Sequence, residues 1–220
     1  MFPDPGARRL AEEIVRIGRL LGARGLFVAD DGNLSARCPD GTIWITPRGV
    51  RKDALSASDL VRVDGGGRIV EGEASASSEL RLHLAIYGRR ADVGAIIHAH
   101  PPVATGFAAA GQGIPDDVLA EVAVALGPVP VVPYAMPGTR EMEEVLAPFL
   151  SSHQAFLLSN HGAVALGGDV EEAGRRMERL EHVARVLLAA RLLGGAKPLT
   201  REERKALEDR FQEEPWHRRS

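Results

Sequence analysis

The segment Ala95-Ile96-Ile97-His98-Ala99-His100-Pro101-Pro102 constrains this chain more than any other. Residues 95–99 have the apolar run of a buried β-strand, and the two prolines stop it and can open a helix. Side chains alternate faces along a strand, so His98 and His100 leave the same face a few ångströms apart. Two such histidines make half of a tetrahedral zinc site, and a third ligand completes a catalytic one. His161, in Ser159-Asn160-His161-Gly162, follows the apolar run Ala155 to Leu158 and is the candidate for that third position. A lone histidine is more often a hydrogen-bonded core or surface residue. A co-facing pair with a third strand-end histidine favours a metal.

Composition narrows the class. A chain of 220 residues fits one α/β unit with a core large enough to need no staples. With 45% hydrophobic and 26% charged residues it is ordinary globular sequence, not disordered. The net charge of −3 leaves no electrostatic footprint for nucleic acid. A single cysteine, Cys38, excludes an internal disulfide framework and fits a reducing cytosol. No apolar run approaches the ~20 residues that span a bilayer. The segment Met1-Phe2-Pro3-Asp4-Pro5 lacks the layout of a signal peptide. The expectation is a cytoplasmic protein with neither a nucleic-acid nor a membrane partner.

Along the chain, Leu10, Ile14, Ile17 and Leu21 mark an amphipathic first helix ended by Gly22 and Gly25. A short strand is expected at Leu26 to Val28. Hairpins follow at Leu34–Arg37 with Thr42–Ile45, and at Asp59–Val63 with Arg68–Val70. Ser77 or Ser78 can cap a helix running to about Arg89, which would place Glu79 in its first turn. A helix is expected over Asp116–Ala125, a strand over Val129–Val132, and a helix capped by Thr139. Strands Ala155–Ser159 and Ala163–Leu166 flank His161. A long helix with Ala173, Met177, Leu180, Ala184 and Leu187 on one stripe closes the fold. His83 and His182 fall within helices as polar-face or packing residues, and Gly65-Gly66-Gly67 is a hairpin turn. Beyond Pro198 the charged tail carries Phe211 and Trp216 as isolated apolar anchors.

Asn33, Thr46, Gly49, Ser77 and Ser78 are short neutral hydrogen-bond formers in turns or at a helix start, and such a set makes a cradle for phosphate. In sequence order, Gly32-Asn33-Leu34-Ser35, Ile45-Thr46-Pro47-Arg48-Gly49, Ser77-Ser78-Glu79, His98-Ala99-His100 and Asn160-His161-Gly162 resemble the class II aldolase/adducin family. The resemblance is nearest to its zinc-dependent L-fuculose-1-phosphate aldolases. It extends from the first helix to about Leu193 and includes Pro133-Tyr134-Ala135 and Pro137-Gly138-Thr139.

This resemblance implies a single α/β domain over residues 1–199, with a central, largely antiparallel mixed sheet between helical layers. It implies a homotetramer with active sites between neighbours, and residues 200–220 are expected to dock near a neighbour's site. By the same likeness His98, His100 and His161 hold one Zn²⁺ per chain, and Glu79 is the acid/base that fills the open metal position when substrate is absent. Asn33, Gly49, Ser77 and Ser78 hold the phosphate of a small sugar phosphate. The implied reaction is cleavage of a ketose 1-phosphate to dihydroxyacetone phosphate and an aldehyde through a zinc-stabilised enediolate.

Two departures stand out. Arg48 occupies a position where those aldolases carry Thr or Ser, and its guanidinium offers a further anion contact. The tyrosines they use toward the aldehyde have no counterpart, since only Tyr87 and Tyr134 occur. Ribulose-phosphate 4-epimerases of the family usually carry Asp where this chain has Glu79. Dehydratases and decarboxylases share the Glu. A non-catalytic adducin-like binding module is disfavoured by the intact histidines.

Overall fold

The computed structural model describes residues 5–213, which are organised around one eight-stranded sheet. In chain order the first half contains α1 (Pro5–Ala23), β1 (Asn33–Arg37), β2 (Ile43–Ile45), β3 (Val61–Val63), β4 (Ile69–Glu71), α2 (Leu80–Arg89), β5 (Ala95–Ala99) and α3 (Pro102–Ala109). The second half contains α4 (Ala120–Ala125), β6 (Val131–Val132), α5 (Arg140–Leu146), β7 (Ala155–Leu158), β8 (Gly162–Gly167), α6 (Val170–Leu192) and α7 (Arg201–Glu213). The sheet order is β4-β3-β2-β1-β5-β8-β7-β6. Every pairing is antiparallel except β6 with β7, so the sheet is mixed and largely antiparallel, as expected.

Alternation along the middle strands sorts the core onto two faces. Ala95, Ile97 and Ala99 of β5 join Leu34 and Ala36 of β1 against α1, α3 and α6. Ile14, Ile17 and Leu21 of α1, and Ala173, Met177 and Leu180 of α6, supply the helical side of that layer. The opposite faces of the same strands, with Ile96 and Val164, pack against Leu82 and Ile86 of α2 and Met142 and Leu146 of α5. His98 follows Ile96 by two residues and therefore lies on the α2 side.

Several local expectations are corrected. Leu26 to Val28 is not a strand; the Leu26 carbonyl instead accepts the His100 N–H at 3.1 Å, so this segment braces the end of β5. Glu79 sits at the N-cap of α2 rather than in its first turn, and its N–H donates to Ser77 Oγ at 3.3 Å. Thr139 holds the N-cap position of α5, but its hydroxyl donates to the Met136 carbonyl. The helix expected over 116–125 is confined to Ala120–Ala125, because Asp116 and Asp117 are engaged with the tail. There Arg204 pairs with Asp116 at 3.1 Å and Leu199 N–H donates to the Asp117 carbonyl. The tail itself forms α7, opened by a reciprocal cap between Thr200 and Glu203. Phe211 is half-buried, whereas Trp216 lies outside the described residues.

Candidate active site

β5 delivers His98, and the residue after its end is His100. The rings lie 4.9 Å apart by centroid, with Nε2 atoms 3.1 Å apart. β8 lies beside β5, so the β7–β8 turn brings His161 to 4.7 Å from the His98 ring and 5.2 Å from that of His100. That turn holds Asn160 at φ 55°, a left-handed conformation that Asn tolerates. Gly162 is required there, since a Cβ would collide with the His100 ring and the Ala99 carbonyl.

The ligand atoms of the three histidines all fall within 4.8 Å of one another. Tetrahedral coordination by nitrogen at ~2.0–2.1 Å requires donors about 3.3 Å apart, so small ring movements complete the geometry. His98 Nδ1 donates to the Ala163 carbonyl at 3.0 Å, which turns the Nε2 lone pair toward Glu79 Oε2 at 2.9 Å. Two acceptors facing at that distance need a proton or a cation between them. His161 Nε2 stands 3.4 Å from Glu79 Oε1, and its buried Nδ1 has no hydrogen-bond partner among the described residues. The donor set fits a divalent ion. Burial, reinforced by the charges of neighbouring histidines, pushes His100 down to about 4 and His161 below its ordinary value. Both rings are thereby kept neutral, as ligation demands.

Glu79 is buried. Burial alone would raise its pKa, but the charge and hydrogen bond of His98, then His161 and Asn33, hold the carboxyl well below the usual range. Asn33 Nδ2 donates to Glu79 Oε2 at 3.0 Å.

Three loops converge in front of this carboxylate. Thr46 ties its turn to β1, its N–H donating to the Leu34 carbonyl while Oγ1 accepts the Leu34 N–H. Pro47 bridges to Ala76, and Arg48 N–H donates to the Ser75 carbonyl, which sets Arg48 and Gly49 beside Ser77 and Ser78. A cavity of about 230 Å³ results, lined by Asn33, Arg48, Gly49, Ser77, Ser78, Glu79, His100 and His161 among others. Of the candidate residues read from the sequence, all border it except His98 and Thr46, which are both fully buried.

Two contributors escaped the sequence reading. Lys52 also lines the cavity, yet it is only 1% exposed. Its Nζ donates to the carbonyls of Asp30 and Val50, both at 2.6 Å, and so clamps the two turns that flank Gly49. Burial pushes its pKa down against the opposing pull of Asp30 and Asp31. His83, expected as a polar-face or packing residue of its helix, is fully buried and its ring hydrogen-bonds Asn33.

Residues 12–188 match the class II aldolase and adducin N-terminal domain. The chain belongs to the class II aldolase and adducin family. It is 34% identical over 183 residues to a 3-oxo-tetronate 4-phosphate decarboxylase of Escherichia coli K12, covering 81% of this chain and 85% of that one. It is 32% identical over 197 residues to the L-fuculose phosphate aldolase of the same strain, covering 90% and 89%. A solved L-fuculose 1-phosphate aldolase superposes with a TM-score of 0.86 at 33% identity, over 93% of this chain and 96% of the other. The class II aldolase family is typically dependent on divalent metals, and in this chain the three-histidine cluster is where such an ion could be held. No helix among its described residues is long and apolar enough to cross a membrane.

Proposed function

We propose that this chain is a metal-dependent carbon–carbon lyase that reversibly cleaves a ketose 1-phosphate to dihydroxyacetone phosphate and an aldehyde. The observation that carries the reading is Glu79: a carboxylate held against two imidazoles in a cavity also lined by Asn33, Arg48, Gly49, Ser77 and Ser78. Zinc, the ion suited to a three-imidazole set, would be held by His98, His100 and His161 and would supply Lewis acidity to the substrate's carbonyl and hydroxyl oxygens.

The phosphate is held by Asn33, Gly49, Ser77 and Ser78, with Arg48 adding a charge-assisted contact. Anchoring that end aligns C3 of the substrate with Glu79. Because Glu79 starts ionised, in the condensation direction it takes the C3 proton of dihydroxyacetone phosphate. In cleavage the C4 hydroxyl sheds its proton and becomes the aldehyde carbonyl as the electrons of the C3–C4 bond settle on C3, and Glu79, which takes up a proton in that step, delivers it to C3. The residues at 200–220 form a tail outside the catalytic region 1–199. The proposed assembly is a homotetramer; Tyr134 and Met136, 55% and 57% exposed beside the cavity-lining Pro137, leave apolar surface that a subunit contact near the site would cover. The proposed location is the cytoplasm.

A second reading, decarboxylation of a 3-oxo sugar acid 4-phosphate, is favoured by one observation. Neither tyrosine borders the cavity: Tyr87 is buried in α2, and Tyr134 is not among the lining residues. Carbon dioxide departs without a protonated oxygen, so this reaction needs no hydroxyl on the departing side. The test is to supply zinc-loaded protein with a panel of ketose 1-phosphates and with 3-oxo-tetronate 4-phosphate, following triose phosphate and carbon dioxide release separately. Triose phosphate released from a ketose 1-phosphate, without carbon dioxide, supports the aldolase. Carbon dioxide and triose phosphate released together, and only from the oxo acid, replace it with the decarboxylase, and turnover of neither substrate refutes both readings.

A further inference from the structure

Glu79, His83 and Tyr87 are spaced four apart and form one stripe leading into and along α2. Asn33 and Ser35 are spaced two apart and share the face of β1 that α2 covers. The two stripes interleave into one buried chain of hydrogen bonds. Tyr87 OH lies 2.8 Å from Ser35 Oγ, which lies 2.6 Å from His83 Nδ1. His83 Nε2 lies 2.5 Å from Asn33 Oδ1, and Asn33 Nδ2 reaches Glu79 Oε2 at 3.0 Å.

The polarity of this chain follows from its end. A carboxylate only accepts, so the Asn33 amide must turn its NH₂ to Glu79 and its carbonyl oxygen to His83. His83 must then carry its proton on Nε2, leaving Nδ1 to accept the Ser35 hydroxyl, which in turn accepts from Tyr87. An amide in the middle is a poor conductor of protons, so the chain orients and does not relay.

Building on the catalytic reading above, we infer that His83 is a positioning residue. By locking the Asn33 amide in one of its two flips, it fixes the carboxylate of Glu79 against the histidine cluster and leaves the second Asn33 N–H for the substrate anion. The shape of the site alone does not require histidine at this position; a leucine of similar bulk would fill the space. Only the donor on Nε2 does the orienting.

The test compares His83→Gln, whose amide nitrogen can stand in for Nε2, with the apolar His83→Leu. Loss of a hydrogen-bonding partner behind a metal-site residue typically lowers activity about 10–100-fold. We expect His83→Leu to lose kcat in that range and to raise KM for the phosphorylated substrate, with metal content little changed, and His83→Gln to recover most of both. A purely packing role predicts the reverse order, and Leu equal to or better than Gln overturns the inference. Nitrogen-15 NMR of the histidines in the wild-type protein gives a readout independent of turnover. The Nε2–H tautomer at His83 is expected, and the Nδ1–H tautomer overturns the inference even if both variants are too unstable to assay. If the wild-type protein turns over no sugar phosphate, the catalytic reading fails on its own, and the tautomer still decides the hydrogen-bond chain.

Discussion

Asn33 and His98 are direct cross-strand partners between β1 and β5, and both side chains end on the same oxygen, Glu79 Oε2, at 3.0 and 2.9 Å. Residues opposite each other on adjacent strands share a face, so this convergence is a property of the register. A slip of one residue would turn both away from Glu79.

Glu79→Gln keeps the shape but removes the charge and the base. General acid–base groups contribute ~10²–10⁴-fold, and turnover is expected to fall by that range. Metal content measured after gel filtration should stay near the wild-type level, since three imidazoles remain. Unchanged turnover would remove Glu79 from the chemistry.

His98→Ala should abolish tight binding of the metal. Its Nε2 is aimed into the cluster by the Nδ1 bond to Ala163, so truncation loses both ligand and aim. Circular dichroism should show the fold retained, because Ile96, Ile97 and their neighbours still pack both faces of β5. Full zinc occupancy in the variant would place the site elsewhere.

Arg48 is exposed at the mouth of the cavity; its backbone N–H donates to the Ser75 carbonyl, and its side chain makes no hydrogen bond or ion pair among the described residues. Arg48→Thr should therefore leave stability and metal content alone. A charge-assisted bond is worth about 1.5–3 kcal/mol, so KM for a phosphorylated substrate should rise roughly ten- to a hundredfold. An unphosphorylated analogue should be affected far less, and equal weakening of both would exclude an anion contact.

Burial, reinforced by the His98 charge and only partly opposed by Glu79, pushes His83 down to about 3. In the unfolded chain its pKa returns to ~6.5. As pH falls through ~6.5 the unfolded state takes up a proton that the folded state refuses until about 3, so stability declines across that window. The slope approaches ~1.4 kcal/mol per pH unit. Urea unfolding of the metal-free protein at pH 7 and 4.5 should show His83→Gln gaining about 2–3 kcal/mol on wild type over this interval. A constant difference would mean that His83 is protonated in the folded state.

The sequence disclosed what depends on periodicity and on short motifs. The i, i+2 histidines, the two early hairpins and the α6 stripe each follow from a repeat that one element dictates alone. What it concealed depends on which element comes to lie opposite. His83 and Tyr87 have helical phase, but nothing local says that the face above them is β1 with Ser35 rather than an apolar strand. Lys52 resembles any surface lysine of a turn until the carbonyls of Asp30 and Val50 are seen to close on it. The segment 26–28 has strand composition, but its carbonyl is claimed by His100. Polar pairs at i, i+4 in an otherwise apolar helix, matched to alternate polar residues in a neighbouring strand, are the pattern that would have exposed the buried chain.

The three histidines come from the end of β5 and from the β7–β8 turn, held together only when regions far apart in sequence have met. No partly folded form lacking either β5 or β8 can present the full ligand set, so an ion at this site binds the native state almost exclusively. Mass action then gives the ion a second influence: at a free concentration a hundred times its dissociation constant it deepens the native well by about 2.7 kcal/mol. With an ion held there, metal supply would govern how much folded protein survives in a population, as well as how many molecules can turn over.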